Sequence, residues 1–442
     1  MTLTVDAEVK AKVISVIDGM KDDIVRFCSD MVKISTVTPT YLGVNYDEVI
    51  GGEKKCNEFV AERLRRISCK IDMWEPVPQR ANLVGTLKSE GGGKSLILMG
   101  HIDVVPPGKP ELWTYPPFSG HVEDGKIHGR GASDCKAGIA AMIAAVEAIQ
   151  KAGYTLKGDV LLESVIGEET GEGGAEGANP IGAVTTVSRG HKADGAIIAE
   201  AFEGIWVTQP HLFWMKVTVT GKTAHSMLRR DLIHAGGLGS TIGVSAVDKG
   251  FKVYETIREL ERQWGITKKH PLLPHGHFTL GANVVRGGPG EILTPYIIPD
   301  VFTLDYCVWA HPQEEVAVVK KEIEDCINAV ASADEWLRDH PPKVEWKLWW
   351  GPYNTPENHP LVKTVSDAYE QVTQTKPQLA GCPGVLDCTF LEAQGIPCVS
   401  HGPGGAGAAT EHAENEFVVI DDIMRATKVL SLATLDWCGY EK

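Results

Sequence analysis

Acids and imidazoles stand where this sequence ends its apolar runs. LILMGHIDVV closes on His101, with Asp103 two residues further on and therefore on the same face of an extended chain. Imidazole is a common ligand of divalent metals, and a neighbouring carboxylate fixes its tautomer. VLLESVIGEETGEGG ends on the adjacent acids Glu168 and Glu169, and DGAIIAEAFEG carries Glu200. In HGRGASDCKAGIAAM, Gly129 and Gly131 make a tight turn and Asp134 opens an apolar helix, either as its cap or as a hard oxygen ligand. A glycine-rich stretch, HGPGGAGAATEHAENEF, adds His401 and His412. If His101, Asp134, Glu169 and Glu200 point at one spot, three negative charges meet there and repel unless a cation sits among them. One imidazole among several carboxylates suits Zn, Co or Mn better than a metal selected by thiolates.

Other chemistries are excluded by spacing. The HGRGASD turn superficially resembles a dinucleotide fingerprint, yet Asp134 stands where the third glycine belongs and would repel a pyrophosphate. TGKTAHS is no phosphate loop, because Lys216 occupies the position five before Gly221. There is neither a His-Glu-x-x-His helix nor a Gly-x-Ser-x-Gly elbow.

The elements that must position these residues follow from periodicity. Val9, Val13, Val16, Ile17, Met20 and Ile24 recur at helical spacing. From Asn82 onward short apolar runs alternate with helices such as AGIAAMIAAVEAIQKAG, which predicts an α/β fold: a mixed, largely parallel sheet with helices on both faces. Ligands of such sheets sit where strands end. Near Gln209 the texture changes to strand, helix, strand, strand, helix, strand, an inserted α+β lid or dimerisation domain. The expected division is 1–210 and 351–442 for a catalytic domain in two segments, with 211–350 as the lid.

A chain of 442 residues with 43% hydrophobic and 23% charged residues reads as globular, in about two or three domains. A formal charge of −15 disfavours nucleic acid and anionic membrane, leaving a small-molecule substrate as the expected partner. The N-terminus lacks the basic start and apolar block of a signal peptide, and ten scattered cysteines without a Cys-x-x-Cys pair point to reduced thiols in a cytoplasm.

Taken in order, GHIDVVPPG, the segment from Trp113 through HGRGASDCKAG, GEETG, DGAIIAE and GPGG ending in EHAENEF resemble the dinuclear metallopeptidase and deacylase family of acetylornithine deacetylase, succinyl-diaminopimelate desuccinylase, aminoacylase and carboxypeptidase G. The resemblance extends over nearly the whole chain, through GKTAHS and NVVRGG of the inserted domain. It implies that His101, Asp134 and Glu200 hold one divalent ion and Asp134, Glu169 and His412 a second, with Asp134 shared. It also implies that Asp103 orients His101, that Glu168 is the general base, and that His225 reaches the substrate oxygen across a homodimer formed by the lid. The implied activity is hydrolysis of the C–N amide bond of a small N-acyl amino acid, dipeptide or related amide by metal-activated water.

Departures from the family pattern keep alternatives open. Cys307 in LDYCVWAHP stands where family members often place a carboxylate-reading Arg, for which Arg286, Arg229 or Arg230 would have to substitute. Glu200-Ala201-Phe202 replaces the usual Glu-Pro-Thr, and RRDLIHAGG differs from the common Asn-Ala form. Phe202, Trp206, Phe213, Trp214 and Trp309 suggest an apolar or aromatic substrate. One alternative is a relative that hydrolyses another C–N bond, such as that of an aryl amine, with a single metal; another is a non-catalytic binding protein.

Overall fold

The computed structural model describes residues 5–234, 237–288 and 294–442, so that Ala235 and Gly236 of RRDLIHAGG lie outside the described residues. The chain divides into two compact units. One runs to Gln209 and resumes at Tyr353–Cys382 and Leu386–Lys442; the other comprises Pro210–Pro352 with Pro383–Val385.

The first unit is built on a mixed sheet whose centre is four mutually parallel strands, in the spatial order Val160–Val165, Leu96–His101, Ala196–Ile198 and Cys398–Ser400. Every residue of Leu96–His101 and Val160–Val165 is buried, as strands covered on both faces require. Antiparallel pairing enters on both flanks. Arg80–Leu87 and Lys70–Val77 add antiparallel on one side, and Ile205–Gln209 pairs antiparallel with Cys398–Ser400 on the other. Because the central strands share a direction, His101, Val165 and Ile198 all end at one edge of the sheet. The acids of the motifs leave from that edge.

Helices fix the edge in place. Ala7–Gly19 and Lys21–Val32 bury one stripe each, Val9, Val13 and Ile17 in the first and Ile24, Phe27 and Met31 among those of the second. Ala137–Lys151 differs, since every residue from Ala137 to Ile149 is buried and Ile420–Cys438 packs against it. Burying Ile139, Met142, Ile143 and Val146 contributes roughly 1.5–3 kcal/mol per side chain and holds the start of this helix against the sheet. Gly138 sets the distance: a Cβ there would lie 1.8 Å from the carbonyl oxygen of Ala199, so any side chain would push the helix off the strand end that leads to Glu200.

The second unit is an antiparallel sheet in the order Leu280–Gly288, Val301–Ala310, His211–Thr220, Lys343–Trp350, with the helices Ala246–Thr267 and Val316–Ala333. Phe213, Met215, Val217 and Val219 alternate inward and meet Val253, Ile257, Ile323 and Ile327 in one core. This is the α+β order read from the sequence. Among the described residues no helix is long and apolar enough to cross a membrane.

Candidate metal centre

His101 is the last residue of its strand and is buried. Its Nδ1 lies 3.0 Å from the backbone carbonyl oxygen of Asp103 and 3.6 Å from that residue's carboxylate. A carbonyl can only accept, so Nδ1 carries the proton and donates it there. The other nitrogen, Nε2, faces two acceptors: Asp134 Oδ1 at 2.9 Å and Glu200 Oε1 at 3.2 Å.

Asp134 reaches this point through a turn that no helix period would predict. Gly131 takes a left-handed φ of 81°, and Asp134 itself is extended (φ −114°, ψ 96°) before the helix begins at Ala137. Glu416 of EHAENEF holds the turn: its Oε1 accepts the amide N–H of Ser133 (3.0 Å) and of Asp134 (3.3 Å), while its other oxygen pairs with buried Arg130. Lys136 anchors the far side by donating to the carbonyls of Met31 and Ile34. With its backbone so fixed, Asp134 turns Oδ1 to His101 and Oδ2 to His412 Nε2 at 3.1 Å. The same His412 nitrogen is 3.1 Å from Glu169 Oε2.

The acid pair is held by Asp103. Its carboxylate is fully buried and accepts the amide N–H of Glu168 (3.3 Å), the amide N–H of Glu169 (3.2 Å) and the hydroxyl of Thr38 (3.0 Å). Asp103 therefore orients the His101 ring through its carbonyl and the two acids through its side chain. Burial opposes its charge, but His101 and Arg80 keep its carboxyl below the usual range.

Two donor sets result, each with one imidazole and one carboxylate of its own, and both share Asp134. The arrangement fits divalent cations, because each imidazole nitrogen faces two carboxylate oxygens and a cation satisfies both acceptors at once. His101, Asp134 and Glu169 offer ligand atoms all within 4.8 Å of one another, as do His101, Cys135 and Glu200. The electrostatics carry the same message. Burial and the charge of Asp134 push Glu169 up to about 7 against the pull of His412, whose own ring is raised to about 11 by Asp134 and Glu169. Burial, with Asp387, Glu200 and Glu169 outweighing His101, lifts Glu168 well above the carboxylate range. Converging acids take up protons in this way unless cations replace them.

Not every flagged residue joins the cluster. His401, from the same glycine-rich segment as His412, is fully buried, bonds Gly204 O through Nδ1 at 2.8 Å, and is pushed down to about 4 by burial. His225 is exposed on the second unit, and its Nδ1 accepts the Met227 amide. Cys307 is half-buried mid-strand, opposite Trp214 and Gly281. Arg229 pairs with Asp248 and Arg230 with Asp231. Phe213 belongs to the core, whereas half-buried Phe202 stacks on Trp206 at 4.3 Å directly after Glu200. Sequence reasoning missed Glu416, Cys135, whose thiol touches the His101 backbone, and Glu411, raised to about 9 by burial and by Asp134 and Glu200. The Glu-His and Asn-Glu pairs of EHAENEF were the available signal.

The Peptidase family M20/M25/M40 matches residues 97–436, and the chain belongs to that family. It is a hydrolase acting on amide C–N bonds, of a metal-dependent family. The chain is 30% identical over 439 residues to the N-formyl-4-amino-5-aminomethyl-2-methylpyrimidine deformylase of Bacillus subtilis, a match spanning 96% of this chain and 97% of that one. Among solved structures, the di-peptidase Dug1p of Saccharomyces cerevisiae is similar with a TM-score of 0.70 at 14% identity, over 97% of this chain and 98% of that one. Human carnosine dipeptidase 1 is similar with a TM-score of 0.68 at 17% identity, over 97% and 99%. These two show the fold.

Proposed function

We propose that this chain removes a formyl or similarly small acyl group from the nitrogen of a compact amine, using two divalent cations drawn from Zn, Co and Mn. The observation that carries this reading is the pair of imidazole nitrogens, His101 Nε2 and His412 Nε2, set against opposite oxygens of Asp134 at 2.9 and 3.1 Å. His101, Asp134 and Glu200 would hold one ion, and Asp134, Glu169 and His412 the other. When bound, the ions supply the Lewis acidity that makes water a nucleophile at neutral pH and polarises the acyl carbonyl.

The side chains do the rest. Glu168 would take the proton from the attacking water and return it to the leaving nitrogen. Asp103 would keep Glu168 and Glu169 at fixed separation through their amides. His225, contributed by the other copy of a dimer, would donate to the acyl oxygen as charge develops there; since its Nδ1 accepts from Met227, Nε2 bears the proton.

Three observations favour a heteroaromatic amine over an amino acid. Cys307 stands where a carboxylate-reading Arg would be expected, and the Bacillus relative is named for a formylated aminopyrimidine. The Phe202–Trp206 stack beside Glu200 offers a flat apolar surface. Dimerisation through the second unit is supported by exposed Val284 and Val285 on the edge strand Leu280–Gly288, and a cytoplasmic setting by ten free thiols. Enzyme loaded in turn with Zn, Co and Mn should release formate from an N-formyl aminomethylpyrimidine faster than it cleaves an N-acetyl amino acid, a dipeptide or an aryl amine. Preference for a dipeptide or aryl amine would overturn the substrate reading, and a strictly monomeric active enzyme in sedimentation would overturn the dimer.

A further inference from the structure

VIGEETGEGG contains a third acid, Glu172, that takes no part in the two donor sets. It is buried at 6% exposure, and its Oε2 accepts from Arg80 Nη1 (2.8 Å), Thr40 Oγ1 (2.8 Å) and Thr170 Oγ1 (3.0 Å). Arg80, itself 1% exposed, is gripped on its other face by Glu53 of the helix Gly52–Arg66 through Nε (2.6 Å) and Nη2 (2.8 Å). Fully hydrogen-bonded buried ion pairs of this kind fix geometry more than they add stability. The fold around Glu172 is equally tight. Its carbonyl accepts the amides of Ile181 and Gly182, the Gly173 amide closes back on Gly167 O, and a Cβ on Gly167, whose φ is 82°, would lie 2.7 Å from the Glu172 Cβ.

We infer that Glu172 and Arg80, braced by Glu53, form a positioning clamp that sets where the Glu168 carboxyl stands. The backbone of Glu168 and Glu169 is tied at one end by Asp103 and at the other by Glu172, three residues beyond Glu169. Thr38 and Thr40 join the two ties, since one segment donates to Asp103 Oδ2 and to Glu172 Oε2. The clamp governs the base and leaves the ions alone: His101, Asp134, Glu200 and His412 come from other segments, and the Glu169 carboxylate has ties of its own, to the Val105 amide (3.3 Å) and to His412 Nε2 (3.1 Å). The inference rests on the proton-transfer role given above to Glu168.

The test pairs Glu172→Gln with Glu53→Gln in the metal-loaded enzyme. Glu172→Gln keeps the shape but removes the charge that Arg80 holds. It is expected to lower kcat about ten-fold or more while KM and metal affinity stay within about two-fold, because a misplaced base loses rate and little else. Hydrogen exchange at the amides of 167–174 should quicken in the same variant, with the strand Val160–Val165 unchanged. Glu53→Gln should lower Tm and should lower kcat by less than Glu172→Gln does, since it loosens Arg80 while the Arg80–Glu172 bond survives. The inference is overturned if Glu172→Gln keeps full kcat, if its activity falls only with bound metal or folded protein, or if exchange in the turn is unaltered. Should no amide prove to be a substrate of the unmodified enzyme, the proposed function fails while the exchange measurement still decides the clamp.

Discussion

The two turns that deliver acids to the centre are built on the same device in different ways. In the Asp134 turn, Glu416 arrives from near the C-terminal end of the chain and accepts the amides of Ser133 and Asp134 directly, with Arg130 behind it. In the Glu168–Glu169 turn the amides go to Asp103, and the buried Arg, Arg80, grips a residue of the turn itself. A ligand whose two oxygens must serve both donor sets needs its backbone fixed in one place, which one rigid carboxylate achieves. Neighbouring acids with separate tasks need two ties, one for each end. The Asp134 turn is therefore held by one distant carboxylate, and the Glu168–Glu169 turn by two distant groups, Asp103 and Arg80.

The largest effect expected from this contrast lies within the acid pair. Glu168→Ala should keep both metals and the fold yet lose about 10²- to 10⁴-fold in kcat, while Glu169→Ala should lose one ion, as read by metal analysis beside steady-state kinetics. Equal metal loss in both variants would contradict the division of roles. Next, Glu416→Gln should weaken metal binding about 10- to 100-fold in chelator competition, whereas Glu172→Gln should not. If both variants weaken binding alike, the two turns do not differ in function.

The segment that supplies Glu416 offers a smaller effect through pH. His401 has an ordinary value of 6.5 and is held down to about 4 by burial, so the unfolded chain binds more protons between those values. Its contribution is complete above about pH 6.5 and is lost as pH falls toward 4, amounting to about 2 kcal/mol at pH 5. Removing the titration with His401→Gln should flatten that part of the acid denaturation curve; an unchanged curve would show that His401 is not the group responsible. The smallest change is expected of Thr40→Val, which deletes one of three donors to Glu172 and should cost about 0.5–1.5 kcal/mol in denaturant titration. A loss several times larger would mean that Thr40 carries more of the turn than Arg80 does.

Much of this architecture is written in local pattern. The apolar runs ending at His101, Val165 and Ile198 are strands, and their acids fall at one edge because parallel strands end together. His101, Asp134, Glu169, Glu200 and His412 lie together, with Asp134 between the two histidines. What local pattern hides is the support. Glu416 lies 283 residues from Ser133, and Arg80 lies 92 from Glu172, so neither partnership leaves a periodic trace. His401 and His412 look alike in sequence, and only packing separates them: one ring sits in the core on a backbone carbonyl, the other among carboxylates. The antiparallel flanks of the sheet are similarly a matter of pairing, since a buried strand reads the same in either direction.

Metal stoichiometry, measured by calorimetric titration of stripped protein with Zn, tests the shared aspartate most directly. Two ions are expected for the unaltered chain, one each for Glu200→Ala and Glu169→Ala, and none held tightly by Asp134→Ala. A single ion in the unaltered chain, or one bound at full affinity after Asp134 is removed, would contradict the sharing of Asp134.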